Sequence, residues 1–87
     1  MSTPEQMRSL LATLEPTVIE VIDDSALHAG HAGARDGGGH YRLHIVSEQF
    51  SGKKTMERHR MVHAALASLM PQAIHALSIT AKAPSEN

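Results

Sequence analysis

Whatever core this chain builds has to form around one long interruption. From Asp24 to Gly39 the residues are mostly Ala, Gly, His and Asp with a single Arg, and five of the six glycines (Gly30, Gly33, Gly37, Gly38 and Gly39) fall there. Such a run offers little to a core. A connection this long inside a small domain is uncommon and is usually functional or disordered. It reads as a loop, so the regular elements must come from its two flanks.

On the N-terminal flank, Thr3-Pro4-Glu5-Gln6 reads as a helix start, with Thr3 as the cap and Gln6 completing a capping box. Met7, Leu10, Leu11 and Leu14 recur at helical spacing and Pro16 ends the run. Thr17 to Asp23 is rich in β-branched residues and too short for a helix, which predicts a strand. Beyond the loop, His40 to Ser47 alternates with Tyr41, Leu43 and Ile45 on one face, a half-buried strand antiparallel to the first. Phe50-Ser51-Gly52-Lys53 is a turn. Met56, Met61, Ala64, Ala65, Leu66 and Leu69 then mark a helix from Lys54 to Met70, stopped by Pro71. His75 to Ala81 alternates again as a third strand, and the tail from Pro84 reads as polar and frayed.

The order is helix, strand, strand, helix, strand. A strand, a helix and a strand imply a right-handed crossover, which makes the last two strands parallel. The expected fold is therefore α+β: a two-layer sandwich with a three-stranded mixed sheet and both helices on one face. Residues 3–84 make a single domain, with 85–87 as a frayed tail.

Composition narrows the chemistry. With 87 residues and no cysteine, the chain supports one modest core and no disulfide framework, Cys-ligated zinc or thiol nucleophile. Lys and Arg total 8 against 9 Asp and Glu, so no global basic field draws it to nucleic acid. With no Trp, one Tyr and one Phe, there are few platforms for stacking bases. No Ser-His-Asp, G-x-S-x-G, H-E-x-x-H or P-loop signature appears, and Asp23-Asp24 is a sequential pair at a strand end. The reading is a non-enzyme. No signal-peptide pattern opens the chain and no apolar run approaches the ~18 residues of a membrane span, so a cytoplasmic protein is expected.

The unusual feature is seven histidines. His28 and His31 lie in the glycine-rich loop, where an imidazole can reach an ion without strain. His44 alternates away from Leu43 and Ile45, toward solvent. His59 and His63, one helical turn apart, either chelate zinc or copper or form a solvated surface pair. His75 is in phase with Leu77 and Ile79, which reads as a core-edge histidine. A basic segment runs through Lys53, Lys54, Arg58, His59 and Arg60 near a helix start. It can meet phosphate or an acidic partner, or simply be a solvated face beside Glu48 and Glu57.

Several pieces in order resemble the BolA family: Val21-Ile22-Asp23-Asp24-Ser25, His40-Tyr41, Ile45-Val46-Ser47, Phe50-Ser51-Gly52-Lys53, Arg58-His59-Arg60-Met61-Val62 and His75-Ala76-Leu77-Ser78-Ile79. The resemblance runs from about Thr3 to Pro84 and implies a fold similar to type II KH domains. It implies a partnership with a monothiol glutaredoxin and a shared [2Fe-2S] cluster, serving iron sensing, cluster assembly or delivery. His75 matches the family's C-terminal ligand. The second ligand comes from the loop: counting forward from Ser25 gives His28, counting back from His40 gives His31, and both stay open. A chain without Cys can hold such a cluster only if the partner supplies sulfur, and one iron can take two imidazoles. Gly52, Lys53, Lys54, Arg58, His59 and Arg60 would shape the partner surface. The alternative from the bacterial branch is a stress-linked, DNA-binding transcriptional regulator acting through that same segment. Two departures stand out: Tyr41 replaces a commoner Phe, and Gly52-Lys53-Lys54-Thr55 lacks the second glycine of an RNA-binding G-x-x-G loop.

Overall fold

The computed structural model describes residues 2–24, 39–70 and 72–86. Helix α1 spans Thr3–Leu11, and its cap is Ser2 rather than Thr3. The Glu5 N–H donates to Ser2 Oγ at 3.3 Å while the Glu5 carboxylate accepts from the Ser2 N–H at 3.3 Å. Both Ser2-x-x-Glu5 and Thr3-x-x-Gln6 fit the template. The pair with a charged acceptor prevails, because a carboxylate bonds amides more strongly and suits the positive helix N-terminus. Met7 and Leu11 are buried, and a 3-10 turn over Ala12–Leu14 adds Leu14 to the core. Glu15 then reverses the chain in the left-handed region, at φ 51°.

Strand β1 spans Val18–Asp23 and β2 spans Gly39–Val46, antiparallel with Val18 opposite Val46 and Asp23 opposite Tyr41. A 3-10 turn at Glu48–Phe50 leads into a type II turn: Ser51 has φ −59° and ψ 132°, and Lys53 N–H bonds the Phe50 carbonyl at 3.1 Å. Gly52 sits at its third position with φ 76°, where a side chain would be strained. Helix α2 is shorter than expected. It runs Thr55–Leu66 and tightens into a 3-10 turn over Ala67–Leu69. Its buried side is Arg58, Val62 and Leu66, while Met56 and Ala64, expected on the apolar face, are exposed. Arg58 occupies the first-turn position that would otherwise have carried that face.

Strand β3 spans Ile74–Lys82 and lies parallel to β2, giving the sheet order β1-β2-β3. Both helices cover one face, where Ile19, Val21, Tyr41, Leu43, Ile45, Leu77 and Ile79 meet Met7, Leu11, Val62, Leu66 and the fully buried Phe50. The α+β sandwich with a mixed three-stranded sheet is as expected. Val18 and Ile22 are exposed. Among the described residues no helix is long and apolar enough to cross a membrane.

Two polar ties hold the ends of this arrangement. Ser47 is fully buried. Its hydroxyl donates to the Leu14 carbonyl and accepts from Gln49 N–H at 3.1 Å, while its own N–H bonds the Lys82 carbonyl at 3.0 Å. One residue thus joins the end of β2 to α1's exit and to β3. The second tie corrects the expectation of a frayed tail. Residues Pro84–Glu86 form a 3-10 turn, and Glu86 accepts from both terminal nitrogens of Arg58 and from Ala83 N–H at 3.0 Å. The Arg58 bond, the Ala83 amide and the charges of Arg58 and Lys82 hold the Glu86 carboxyl at about 2, against an ordinary 4.5.

Ser47→Ala leaves the buried Leu14 carbonyl without its donor and should lower unfolding stability by about 1–3 kcal/mol in urea titrations. A Cβ on Gly39 would collide with the buried Tyr41 ring, so Gly39→Ala should cost about 1–3 kcal/mol through overpacking, read the same way. Because folding depresses the Glu86 pKa, its contribution is complete above about 4.5 and is lost as pH falls through about 2. The stability gap between wild type and Glu86→Gln should therefore be constant near neutrality and close across that acid window in pH-dependent melts.

Candidate metal centre

The parallel pairing brings the starts of β2 and β3 side by side, and there it carries an irregularity. Gly39 stands opposite Ile74, yet His40 stands opposite Ala76. One extra residue, His75, is inserted into β3. Such a bulge leaves the inserted residue unpaired and re-aims its side chain. Ile74 and Leu77 both face the core although they are three apart, and His75 and Ala76 are both exposed. The core-edge placement expected for His75 from its phase with Leu77 and Ile79 is thus corrected: an inserted residue breaks the period of two that the expectation assumed.

The bulge sets the His75 ring beside that of His40, with centroids 5.5 Å apart and planes inclined by 51°. A metal-bound imidazole has its centroid ~3.2 Å from the ion, so two ligands at roughly tetrahedral or trigonal angles stand ~5 Å apart. The centroid separation of the pair is close to this spacing. His40 was missed from the sequence. Its signal was its position at the head of β2 combined with a parallel β3, which places the first residues of both strands together.

A groove of about 250 Å³ adjoins the pair, lined by Asp24, His40, Tyr41, Arg42, Ala76, Leu77 and Ser78. Asp24 closes its rim. Its N–H donates to the His40 carbonyl at 2.7 Å, and its carboxylate takes the Arg42 guanidinium in a two-point contact, with Nη2–Oδ1 at 3.3 Å. The acid that lines this groove is thus matched by an arginine. Among the described residues no group of three or more His, Cys, Asp or Glu gathers to hold a metal ion. His40 and His75 are a pair of neighbouring imidazoles, two potential donors and no more among the described residues. His28 and His31 lie outside the described residues.

The remaining histidines are dispersed. His44 is partly exposed on the open sheet face, with Nδ1 3.6 Å from Glu20 Oε1. On α2, His59 is half-buried and His63 exposed, and among the described residues no third donor joins them.

The basic segment sits at the other end of β3. Gly52, Lys53, Lys54 and Arg60 are exposed. Arg58, expected among the surface cations, is turned inward with only 10% of its side chain exposed. It donates to the carbonyls of Lys53 at 2.8 Å and Ala81 at 3.1 Å and to both Glu86 oxygens. Its charge is neutralised within the fold. His75 and Ala81 are six strand residues apart, so the histidine pair and the basic turn are separated by roughly 20 Å.

This arrangement matches known proteins over nearly its whole length. The family profile described as BolA-like protein covers residues 10–86. Protein BOLA2 of Arabidopsis thaliana is 48% identical over 80 residues, covering 91% of this chain and 75% of that protein. SufE-like protein 1 of the same plant, named chloroplastic/mitochondrial, is 45% identical over 78 residues, covering 84% of this chain but 21% of that protein. Several curated relatives are longer, and the match takes in about a fifth to a half of their length. Among solved structures, the BolA domain of SufE1 from Arabidopsis thaliana superposes with a TM-score of 0.83 at 38% identity, covering 100% of this chain and 99% of that one. With the same α+β order and mixed sheet, the chain belongs to the BolA-like family.

Proposed function

We propose that this protein is a non-enzymatic adaptor that pairs with a monothiol glutaredoxin and contributes histidines to a shared [2Fe-2S] cluster, in iron sensing, cluster assembly or delivery. The observation that carries this reading is the outward turn of His75 beside His40 in a chain with no cysteine. Two imidazoles suit one iron of such a cluster, while thiolates for the other must come from outside the chain. When bound, the cluster would supply a transferable, redox-active iron unit.

The protein's own contribution is ligation and orientation. His75 would hold one position of the cluster's iron, and His40 or one of the loop histidines, His28 or His31, would complete the pair. Asp24 and Arg42 brace the rim, since an ion pair and a backbone bond lock the end of β1 to the head of β2. An outer shell of this kind fixes the direction of the inner ligands. Gly52, Lys53, Lys54, His59 and Arg60 form the accessory partner surface, without Arg58. We keep the cytoplasm as the setting, a reducing compartment in which thiol partners stay available.

A second reading, a DNA-binding regulator acting through the turn from Gly52 to Arg60, is favoured by the exposed Lys53, Lys54 and Arg60. It is weakened by the pairing of Arg58 with Glu86. Phosphate-driven binding would fall steeply with salt, whereas cluster ligation would not.

Anaerobic cluster reconstitution with a monothiol glutaredoxin, followed by visible circular dichroism, tests the adaptor reading. Wild type should give a heterodimer spectrum distinct from the glutaredoxin homodimer. That spectrum should vanish in His75→Ala and in one of His40→Ala, His28→Ala or His31→Ala. A homodimer spectrum unchanged by wild type would overturn the shared cluster.

A further inference from the structure

Arg58 is held in a way that leaves a binding edge already formed. Its Nε donates to the Lys53 carbonyl at 2.8 Å and its Nη1 to the Ala81 carbonyl at 3.1 Å. These acceptors belong to the turn before α2 and to β3, so they fix the guanidinium plane whatever meets its outer edge. That edge, Nη1 and Nη2, faces the two oxygens of Glu86, with Nη2–Oε2 at 2.8 Å. Ala83 N–H converges on the same carboxylate at 3.0 Å, and the Lys82 charge also favours its ionised form. A guanidinium fork and an amide make a donor set for oxyanions in general.

The occupant is held less firmly than its receptor. Arg58 has 10% of its side chain exposed and Glu86 has 45%. The turn Pro84–Glu86 buries none of its residues, and its Glu86 N–H bonds the Ala83 carbonyl at 2.9 Å. Among the described residues, the side-chain bonds that tie this turn to the rest of the fold are those of the Glu86 carboxylate. Exposed Lys53 and Lys54 flank the carbonyl that Arg58 grips, which adds positive potential suited to a doubly charged ligand.

We propose that Arg58 and the Ala83 N–H form a preorganised oxyanion site, filled by the chain's own Glu86, that takes a phosphate group when residues 84–86 lift away. The site joins the basic turn to the end of β3, far from the histidine pair. It turns Arg58 from a neutralised charge into a conditional one: covered by the tail, or offered to a phosphate alongside Lys53 and Lys54.

Thermal melts of Glu86→Ala in inorganic phosphate, against sodium chloride at equal ionic strength, provide the test. At roughly ten times its Kd, phosphate should raise the Tm of this variant by about 5–10 °C and that of wild type by much less. Amide and guanidinium NMR shifts of Ala83 and Arg58 should move saturably in the variant, and the double variant Glu86→Ala/Arg58→Lys should lose both responses. Glu86→Gln replaces Glu86→Ala if the latter does not fold, and the shift mapping decides the matter if the double variant does not. A response to phosphate no larger than to chloride would overturn the site, as would shifts that bypass Ala83 and Arg58. Equal responses to acetate and phosphate would overturn the preference for phosphate.

Discussion

Strand β2 is hydrogen-bonded on both sides, and its double pairing is the constraint from which the other elements hang. At its far end, Ser47 binds the α1 exit through Leu14 and β3 through Lys82, so three parts of the chain share one buried residue. At its near end, Gly39 admits the Tyr41 ring across its α-carbon, and the chain opposite it must accommodate an extra residue. A strand anchored so firmly at one end transmits any mismatch in register to the other, and the mismatch appears where the histidines are.

Sequence periodicity reaches as far as local physics does. Tyr41, Leu43 and Ile45 could be assigned to one face because a strand alternates regardless of its partners. The parallel pairing of β2 and β3 followed from the intervening helix. The orientation of His75 was hidden, because an inserted residue belongs to the pairing of two strands and leaves no mark on either alone. Arg58 was hidden for a similar reason: its partners Ala81 and Glu86 lie 23 and 28 positions away, so Arg58-His59-Arg60 looks like a uniform basic run. The choice between Ser2 and Thr3 as helix cap was a narrower matter, decided by whether the reciprocal acceptor is charged.

The consequence for function is a molecule with chemistry at both ends of one strand. Membership in the BolA-like family and the close superposition on the SufE1 BolA domain establish the scaffold. On that scaffold this chain has a histidine pair with no cysteine thiolate of its own, together with a basic turn from which one arginine has been withdrawn. A partner that supplied donors to the histidines and also touched the turn would have to lie along the length of β3. A partner satisfied by either end alone would leave the other free.

The order in which the pairings close has a kinetic corollary. The β1–β2 hairpin joins Asp23 to Tyr41, 18 positions apart, whereas β2–β3 joins His40 to Ala76, 36 apart. Doubling the span adds only about 0.6 kcal/mol of closure entropy, so chain length alone does not separate the two events. What separates them is that the parallel pairing needs α2 and its crossover packed first, which makes such contacts slow to form. The histidine pair is accordingly a late product of folding. A chain that has its hairpin but not its third strand possesses every imidazole and still lacks the pair, so under the proposed function competence to take up metal would report completion of the fold rather than mere synthesis of the sequence.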